Sequence, residues 1–301
     1  MNAARAHLPH PSRSFWAHRP QEGFPPTVVR SPDLYDGSER LSISCTQTEL
    51  PAKAQRDLLR LWCEALPGMS KVRYLWFHSK VPQELFEAAC RIPRLEGLYV
   101  KWSSIYTLDP LAQPKHLKYV RIGSSPGIAG ISCLAGLAHL RWLELDNLKL
   151  VSDLAPIETL TRLQGFGFTG AEGRRNTVAS LAPVSKLLDL RWLHLGAMHV
   201  QDGSLRALAT LKNLSWLGVG NFYPWSEFAW LSAQLPKTEC TWFKPGDNLG
   251  RLGIKCKRCD TGIMLLSGKG KAKLCPSCDS AKWQAFSAAF EAAVADVTVG
   301  A

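Results

Sequence analysis

The sequence predicts an α/β solenoid, an arc of repeats with a parallel sheet on its concave side, followed by a small cysteine-bearing module and a terminal helix. Three observations carry that expectation. A six-residue apolar skeleton returns as VRYLWF at Val72, LEGLYV at Leu95, LKYVRI at Leu117, LRWLEL at Leu140, LQGFGF at Leu163, LRWLHL at Leu190 and LSWLGV at Leu214, in steps of 23, 22, 23, 23, 27 and 24 residues. A second pattern recurs between copies, as in LDPLAQPKHL from Leu108, ISCLAGLAHL from Ile131, SDLAPIETLTRL from Ser152, ASLAPVSKLLDL from Ala179 and SLRALATLKNL from Ser204. Units of this kind bury their apolar faces only against their neighbours, which makes a stack. After Phe243 the period stops, and two Cys-x-x-Cys pairs follow.

Taken in order, residues 1–36 are rich in Pro, His, Arg and Ser and lack periodicity, which predicts an extended or disordered lead with little function. Residues 37–66 form an amino-terminal cap, with a strand at LSISC after Arg40 and a helix from Glu49 to Leu66 that stops before Pro67 and Gly68. A cap is needed because an open solenoid end exposes core and a free strand edge. Residues 67–243 hold the repeats, with a second short helix at Pro82 to Ile92 and a degenerate closing copy, TECTWF, at Thr238 to Phe243. Residues 244–279 form the cysteine module. Residues 280–301 form a helix with Trp283, Phe286, Phe290, Val294 and Val297 on one stripe, capped by Asp279 or Ser280.

The skeleton LxxLxL and the linking DLxPLxxLxxL resemble the leucine-rich repeat family, in particular its short-repeat branch of internalin-like proteins and leucine-rich phosphatase regulatory subunits. The resemblance covers Leu66 to Phe243 and implies a strand for each skeleton and a tight convex turn for each link. The family usually places an asparagine after the strand, where this chain has Ser103, Ser125, Leu148, Ala171, Met198 and Phe222. The backbone groups that asparagine serves must therefore be satisfied otherwise.

Alternation along a strand sends the leucine-type residues into the core and the third and fifth positions onto the concave face. Those positions are Tyr74 and Trp76, Gly97 and Tyr99, Tyr119 and Arg121, Trp142 and Glu144, Gly165 and Gly167, Trp192 and His194, Trp216 and Gly218, Cys240 and Trp242, with His78, Lys101, Asp146 and Lys244 just beyond. So much aromatic surface predicts a partner-binding face, while stacking of the rings on one another is the competing reading. Gly165 and Gly167 predict a gap between Trp142 and Trp192 that could take one partner side chain. GFGFTG at 165–170 matches GxGxxG only formally, since Phe166 and Phe168 occupy core positions. The longest step is assigned to an exposed loop at Ala171 to Thr177.

In the module, Cys256 and Cys259 form CKRC and Cys275 and Cys278 form CPSC, separated by fifteen residues. Two such knuckles joined by a hairpin bring four sulfurs into a tetrahedron. The segment resembles the zinc ribbon family, with these four cysteines as ligands; zinc is favoured, and iron, held as in rubredoxins, is the lesser alternative. Four sulfurs leave no open position for water, so the metal is structural. The other five cysteines read as small buried hydrophobes.

The chain carries 36 Lys and Arg against 25 Asp and Glu. Basic density peaks at residues 244–282, where nine basic groups face three acidic ones. Lys255, Lys257, Arg258, Lys269, Lys271 and Lys273 either offset the metal–thiolate charge or form a nucleic-acid-binding patch. The sequence has no membrane-length apolar run, no signal-peptide core, no nucleophile and base arrangement, no P-loop and no HExxH. It is expected to be a noncatalytic cytoplasmic protein that binds a protein partner on its aromatic concave face, with no small-molecule substrate. The alternative is nucleic-acid binding through the basic ribbon.

Overall fold

The computed structural model describes residues 16, 25–171 and 173–299. Strands β1 (Arg40–Ile43), β2 (Tyr74–Phe77), β3 (Gly97–Trp102), β4 (Tyr119–Ser124), β5 (Trp142–Asp146), β6 (Gly165–Thr169), β8 (Trp192–Leu195) and β10 (Trp216–Val219) form one parallel sheet in that order. The pairing puts Leu41, Leu75, Leu98, Val120, Leu143, Phe166, Leu193 and Leu217 in one row and their i+2 neighbours in a second. Both rows are buried and form the spine of the core. The links fold as short 3-10 turns at Asp109–Ala112, Ser132–Gly136, Ala155–Thr159, Ala182–Lys186 and Arg206–Thr210, each anchoring a buried apolar residue against the back of the sheet. This is the solenoid that the spacing predicts, in the leucine-rich-repeat form that the resemblance implies, and β6 is one of its ordinary rungs rather than a nucleotide loop.

At the amino-terminal end, β1 is the edge strand of the sheet, and helix α1 (Ala52–Ala65) covers the first repeat with Trp62 fully buried. Helix α2 (Gln83–Cys90) is the second predicted helix and packs beside α1. Val29 extends the pairing beyond β1, donating its N–H to Ser42 O at 2.7 Å. Within the predicted lead, residues 1–15 and 17–24 lie outside the described residues, while Trp16 is buried.

Serines do much of the work left by the missing asparagines. Ser79 Oγ accepts from the N–H groups of Cys45 and Thr46 at 3.1 and 3.2 Å. Ser103 Oγ accepts from Ile105 N–H at 3.1 Å and lies 2.6 Å from Ser125 Oγ, and the Ser125 hydroxyl donates to Gly123 O at 2.6 Å. All three are buried. A short hydroxyl here answers the demand that buried backbone groups be paired.

Two expectations need correction. The insertion after β6 is more than an exposed loop: Asn176–Val178 forms β7, which pairs in parallel with β9 (Met198–Val200), and the Asn176 amide donates to Thr169 O at 2.9 Å. The closing copy is not a strand, and its register is slipped by one. Glu239, not Cys240, stands opposite Trp216, and Leu217 N–H bonds Glu239 O at 2.9 Å. A one-residue slip exchanges faces, so Cys240 turns into the core at 9 % exposure.

One charged ladder crosses the start of the sheet. Arg73 bridges Glu39 and Glu96 at 3.0 and 2.8 Å, and Lys118 adds a second cation to Glu96 at 3.1 Å. Burial alone would raise the Glu96 carboxyl pKa, but the bonds from Lys118 and Arg73 outweigh it and hold the pKa below the usual value. A depressed carboxylate contributes stability that is present above its unfolded pKa and lost as pH falls through its folded one. Glu96→Gln should therefore cost about 1 kcal/mol at pH 7, and that cost should fade as the pH drops through the folded-state pKa, below the usual glutamate range, as read by urea melts over an acid pH series.

After β10 comes helix α3 (Trp225–Gln234), which carries Phe228 and Leu231 into the core. Three short antiparallel strands follow, β11 (Gly246–Asn248), β12 (Met264–Leu266) and β13 (Lys273–Leu274), then helix α4 (Ser280–Val299). The predicted stripe of α4 packs on α3: Trp225 lies 5.7 Å from Phe286 and 6.2 Å from Phe290 between ring centroids. Among the described residues no helix is long and apolar enough to cross a membrane.

Candidate recognition surface and metal centre

The concave face follows from the strand register. One row reads Arg40, Tyr74, Gly97, Tyr119, Trp142, Gly165, Trp192, Trp216, and the next Ser42, Trp76, Tyr99, Arg121, Glu144, Gly167, His194, Gly218. Large rings alternate with glycines, and the glycines are their seats. A Cβ on Gly165 would come within 2.2 Å of the Trp142 ring, and one on Gly97 within 2.6 Å of the Tyr74 ring. Trp142 and Trp192 thus close over the two glycines and stack at 5.0 Å, and Trp216 continues the stack at 5.4 Å from Trp192. The predicted gap between Trp142 and Trp192 does not exist, because the ring of one repeat leans over the glycine of the next.

Burial divides the predicted contact residues. Trp76, Trp142, Trp192 and Glu144 are at most 4 % exposed and serve the packing of the face. Tyr74, Tyr99, Tyr119, Arg121, His194 and Trp216 remain half-buried above this base. Trp242 is not on the sheet: its indole N–H donates to Val219 O at 2.7 Å and its ring packs toward Phe228, as the slipped closing copy requires. A second tryptophan that residue spacing did not assign to the face lies there. Trp16 is 5 % exposed and meets Trp76 and Tyr99 edge-on, each at 5.6 Å.

In the middle of the face, charge centres on Arg121. Arg121 pairs with Glu144 and, at 2.5 Å, with Asp146. Glu144 also accepts the Trp142 indole N–H at 2.6 Å, and Asp146 accepts the Thr169 hydroxyl at 2.7 Å. Burial opposes the Arg121 charge, but the two carboxylates outweigh it and raise its pKa. His194 stands edge-on to Trp192 and Trp216, at 5.7 Å from each. Burial chiefly lowers its pKa, so at neutral pH it presents an uncharged imidazole. Burial, then the nearby Glu96 charge, pushes the Tyr74 phenol up to about 12 and raises that of Tyr119, which keeps both as hydrogen-bond donors. The result is a closely packed, mostly neutral aromatic surface whose central arginine is internally compensated.

The second site is built by two turns. After Cys256 and after Cys275 the chain closes on itself, with Asp260 N–H bonding Cys256 O and Asp279 N–H bonding Cys275 O, both at 2.9 Å. Asp260 takes a left-handed φ of 58° to complete the first turn. The four sulfurs of Cys256, Cys259, Cys275 and Cys278 lie within 4.8 Å of one another. Separations of 3.4, 3.5 and 3.9 Å bracket the edge of about 3.8 Å expected for a tetrahedron with metal–sulfur bonds of about 2.3 Å. Backbone N–H groups of Arg258 and Cys259 lower the Cys256 thiol, the Thr261 hydroxyl and N–H pull Cys259 down to about 6, and its bond with Cys259 leads in raising Cys278 to about 12. The donor set fits a metal ion held by all four thiolates, which would supply a core to a module that has almost none of its own.

This module is locked to the end of the arc by the backbone of its hairpin. Gly268 N–H donates to Asn221 Oδ1 at 2.6 Å, Asn221 Nδ2 donates to Leu266 O at 3.0 Å, and Lys269 N–H donates to Tyr223 O at 2.7 Å. Gly268 sits at φ +111°, where an added Cβ would be 2.7 Å from that of Trp225, so only glycine fits. Of the basic side chains, Lys255 pairs with Asp260 at 2.7 Å, Arg258 faces Asp279 at 3.9 Å, and Lys271 lies over the Phe286 ring at 5.3 Å. Lys257, Lys269 and Lys273 are exposed. None of the nine cysteines is in a disulfide, and burial pushes Cys45 and Cys240 up to about 12 and Cys63 and Cys133 up to about 11.

The fold and the cysteine cluster together define a leucine-rich-repeat arc closed by a four-cysteine ribbon. Among solved structures, internalin C2 of Listeria monocytogenes is similar at 23 % identity and TM-score 0.44, over 58 % of this chain and 71 % of that one. An internalin F of the same organism is similar at 16 % and 0.38, over 66 % and 70 %. A plant peptide hormone receptor, RGFR1 in complex with RGF2, is similar at 15 % and 0.42, over 66 % and 30 %. No family model and no curated protein matches the chain.

Proposed function

We propose that the chain is a noncatalytic, cytoplasmic recognition scaffold, of the adaptor, inhibitor or immunity type, that binds a protein partner on the concave face. The observation that supports this most is the two-tier build of that face. Buried Trp76, Trp142 and Trp192 fix the platform, and half-buried Tyr74, Tyr99, Tyr119, His194 and Trp216 stand on it. Rings held in place before binding lose little freedom on binding and contribute large contact area, the recurring chemistry of interface hot spots. The metal in this reading is a structural Zn2+ whose role is to close the carboxy-terminal end of the arc. Free thiols throughout suit a reducing compartment.

The nucleic-acid alternative gains less. The lysine-bearing hairpin is fixed to the last repeat by its backbone, Lys255 and Arg258 face acids beside the sulfurs, and Cys278 is the leading cause of the raised Arg258 pKa. Those two residues suit the offsetting of thiolate charge. The test is affinity capture from native extract, run in parallel with and without nuclease treatment, with three full-length forms: wild type, Tyr99→Ala/Tyr119→Ala, and Lys269→Glu/Lys271→Glu/Lys273→Glu. A protein retained by the wild type and the lysine variant but lost from the tyrosine variant is the expected outcome. Nucleic acid retained by the tyrosine variant, and lost from the lysine variant or in high salt, would overturn the reading.

A further inference from the structure

Trp16 belongs to a stretch that local sequence gives no reason to order, yet its indole is 95 % withdrawn from solvent on the face proposed for recognition. Among the described residues, four make its seat. The Trp76 ring stands at 87° to it and the Tyr99 ring at 62°, Gly97 lies beneath with its Cβ position 3.2 Å from the indole edge, and the Tyr74 ring shares that glycine floor. Edge-to-face packing of this kind favours aromatic pairs beyond simple area burial. The seat exists because residue 97 has no side chain; an alanine there would press on both rings.

The described chain resumes at Pro25 and reaches β1 at Val29, which bridges Ile43. The nine steps from Trp16 to Pro25 span at most about 30 Å, against about 10 Å between β1 and β3. Reach is ample, and because indole and seat belong to one chain their association is intramolecular. A ring delivered in this way outcompetes a free ligand of equal intrinsic affinity, and a partner entering the same seat must displace it.

We propose that the seat of Tyr74, Trp76, Gly97 and Tyr99 is a docking site for one large aromatic side chain on a peptide segment, and that the chain's own Trp16 is its resident occupant. A protein partner on the amino-terminal half of the concave face gains access by displacing Trp16. This deepens the recognition reading and rests on it for the partner, while the occupancy of the seat stands alone.

Chymotrypsin supplies the first test, because cutting after Trp16 requires the indole to leave its seat for the protease pocket. In the full chain the Trp16–Ala17 bond should be cut at least about tenfold more slowly than in a free peptide of residues 10–22, since cleavage follows the population of the open form. Trp76→Ala, checked for retained fold by circular dichroism, should restore the peptide rate. Equal rates in wild type and peptide overturn the occupancy. The second arm adds the 10–22 peptide in trans. It should bind the Trp16→Ala chain about tenfold more tightly than wild type, and a peptide with alanine in place of the tryptophan should not bind. Equal binding to both chains, including none, overturns the docking site. Occupancy confirmed without any captured protein would sink the recognition reading alone.

Discussion

Stripping the proposed metal from its four-thiolate cage should unfold residues 246–279 and leave the arc standing. Three strands of two or three residues and a few apolar side chains bury too little to order the ribbon unaided, whereas a structural zinc in a thiolate cage is worth roughly 10 kcal/mol or more of folding free energy. On the proposal that the four thiolates hold one zinc, plasma mass spectrometry should find one zinc per wild-type chain and none in Cys256→Ser/Cys275→Ser. In hydrogen exchange its amides at 246–279 should lose protection, among them Gly268 and Lys269, whose bonds to Asn221 and Tyr223 fasten the ribbon to the arc. Strands β2 to β6 should exchange as in wild type, since repeats depend on their neighbours alone. An unchanged exchange map after metal loss would show that the ribbon folds on its own core.

The second large effect concerns Trp142. It is 2 % exposed, covers Gly165, stacks on Trp192 and bonds Glu144. Trp142→Ala should cost about 3–5 kcal/mol, the usual range for deleting a buried aromatic, and leave Glu144 one donor short. Gly165→Val should cost about 1–3 kcal/mol by overpacking the same ring from below. Tyr119→Ala, half-exposed on the same row, should cost clearly less than Trp142→Ala. Denaturant melts of the three variants test the order, and a mild Trp142→Ala would mean that the tryptophan row is ornamental to stability. A recognition experiment that replaces Trp142, Trp192 and Trp216 together would therefore read unfolding instead of docking.

Most of the arc was legible because a period is a property of sequence. Seven skeletons became seven strands, each with its core and concave residues as alternation predicts, and the four cysteines converged as two knuckles should. What escaped depended on neighbours in space. Which way Trp142 leans is set by the missing side chain of Gly165 on the adjacent strand, so a pair of glycines that suggests a gap is in fact a floor. The closing copy kept its apolar letters but slipped by one residue, which no local pattern reveals, and so Cys240 turned into the core and Trp242 left the concave face to pack half-buried toward Phe228. Helix α3 was hidden because aromatic and apolar residues on several of its sides erase the one-sided helical signal. Trp16 gave a faint signal in advance, a lone tryptophan in a Pro- and Arg-rich lead. Its partner face lies more than 50 residues away, beyond the reach of local patterning.

The concave face as the site of recognition is tested most directly by hydroxyl-radical footprinting of the captured complex. The prediction is that Tyr99, Tyr119 and His194 oxidise several-fold more slowly in the complex than in the free chain, while Tyr106, 64 % exposed and outside the sheet, is unchanged. Protection of Tyr106 or of the ribbon, with Tyr99 and Tyr119 reacting as in the free protein, would contradict it.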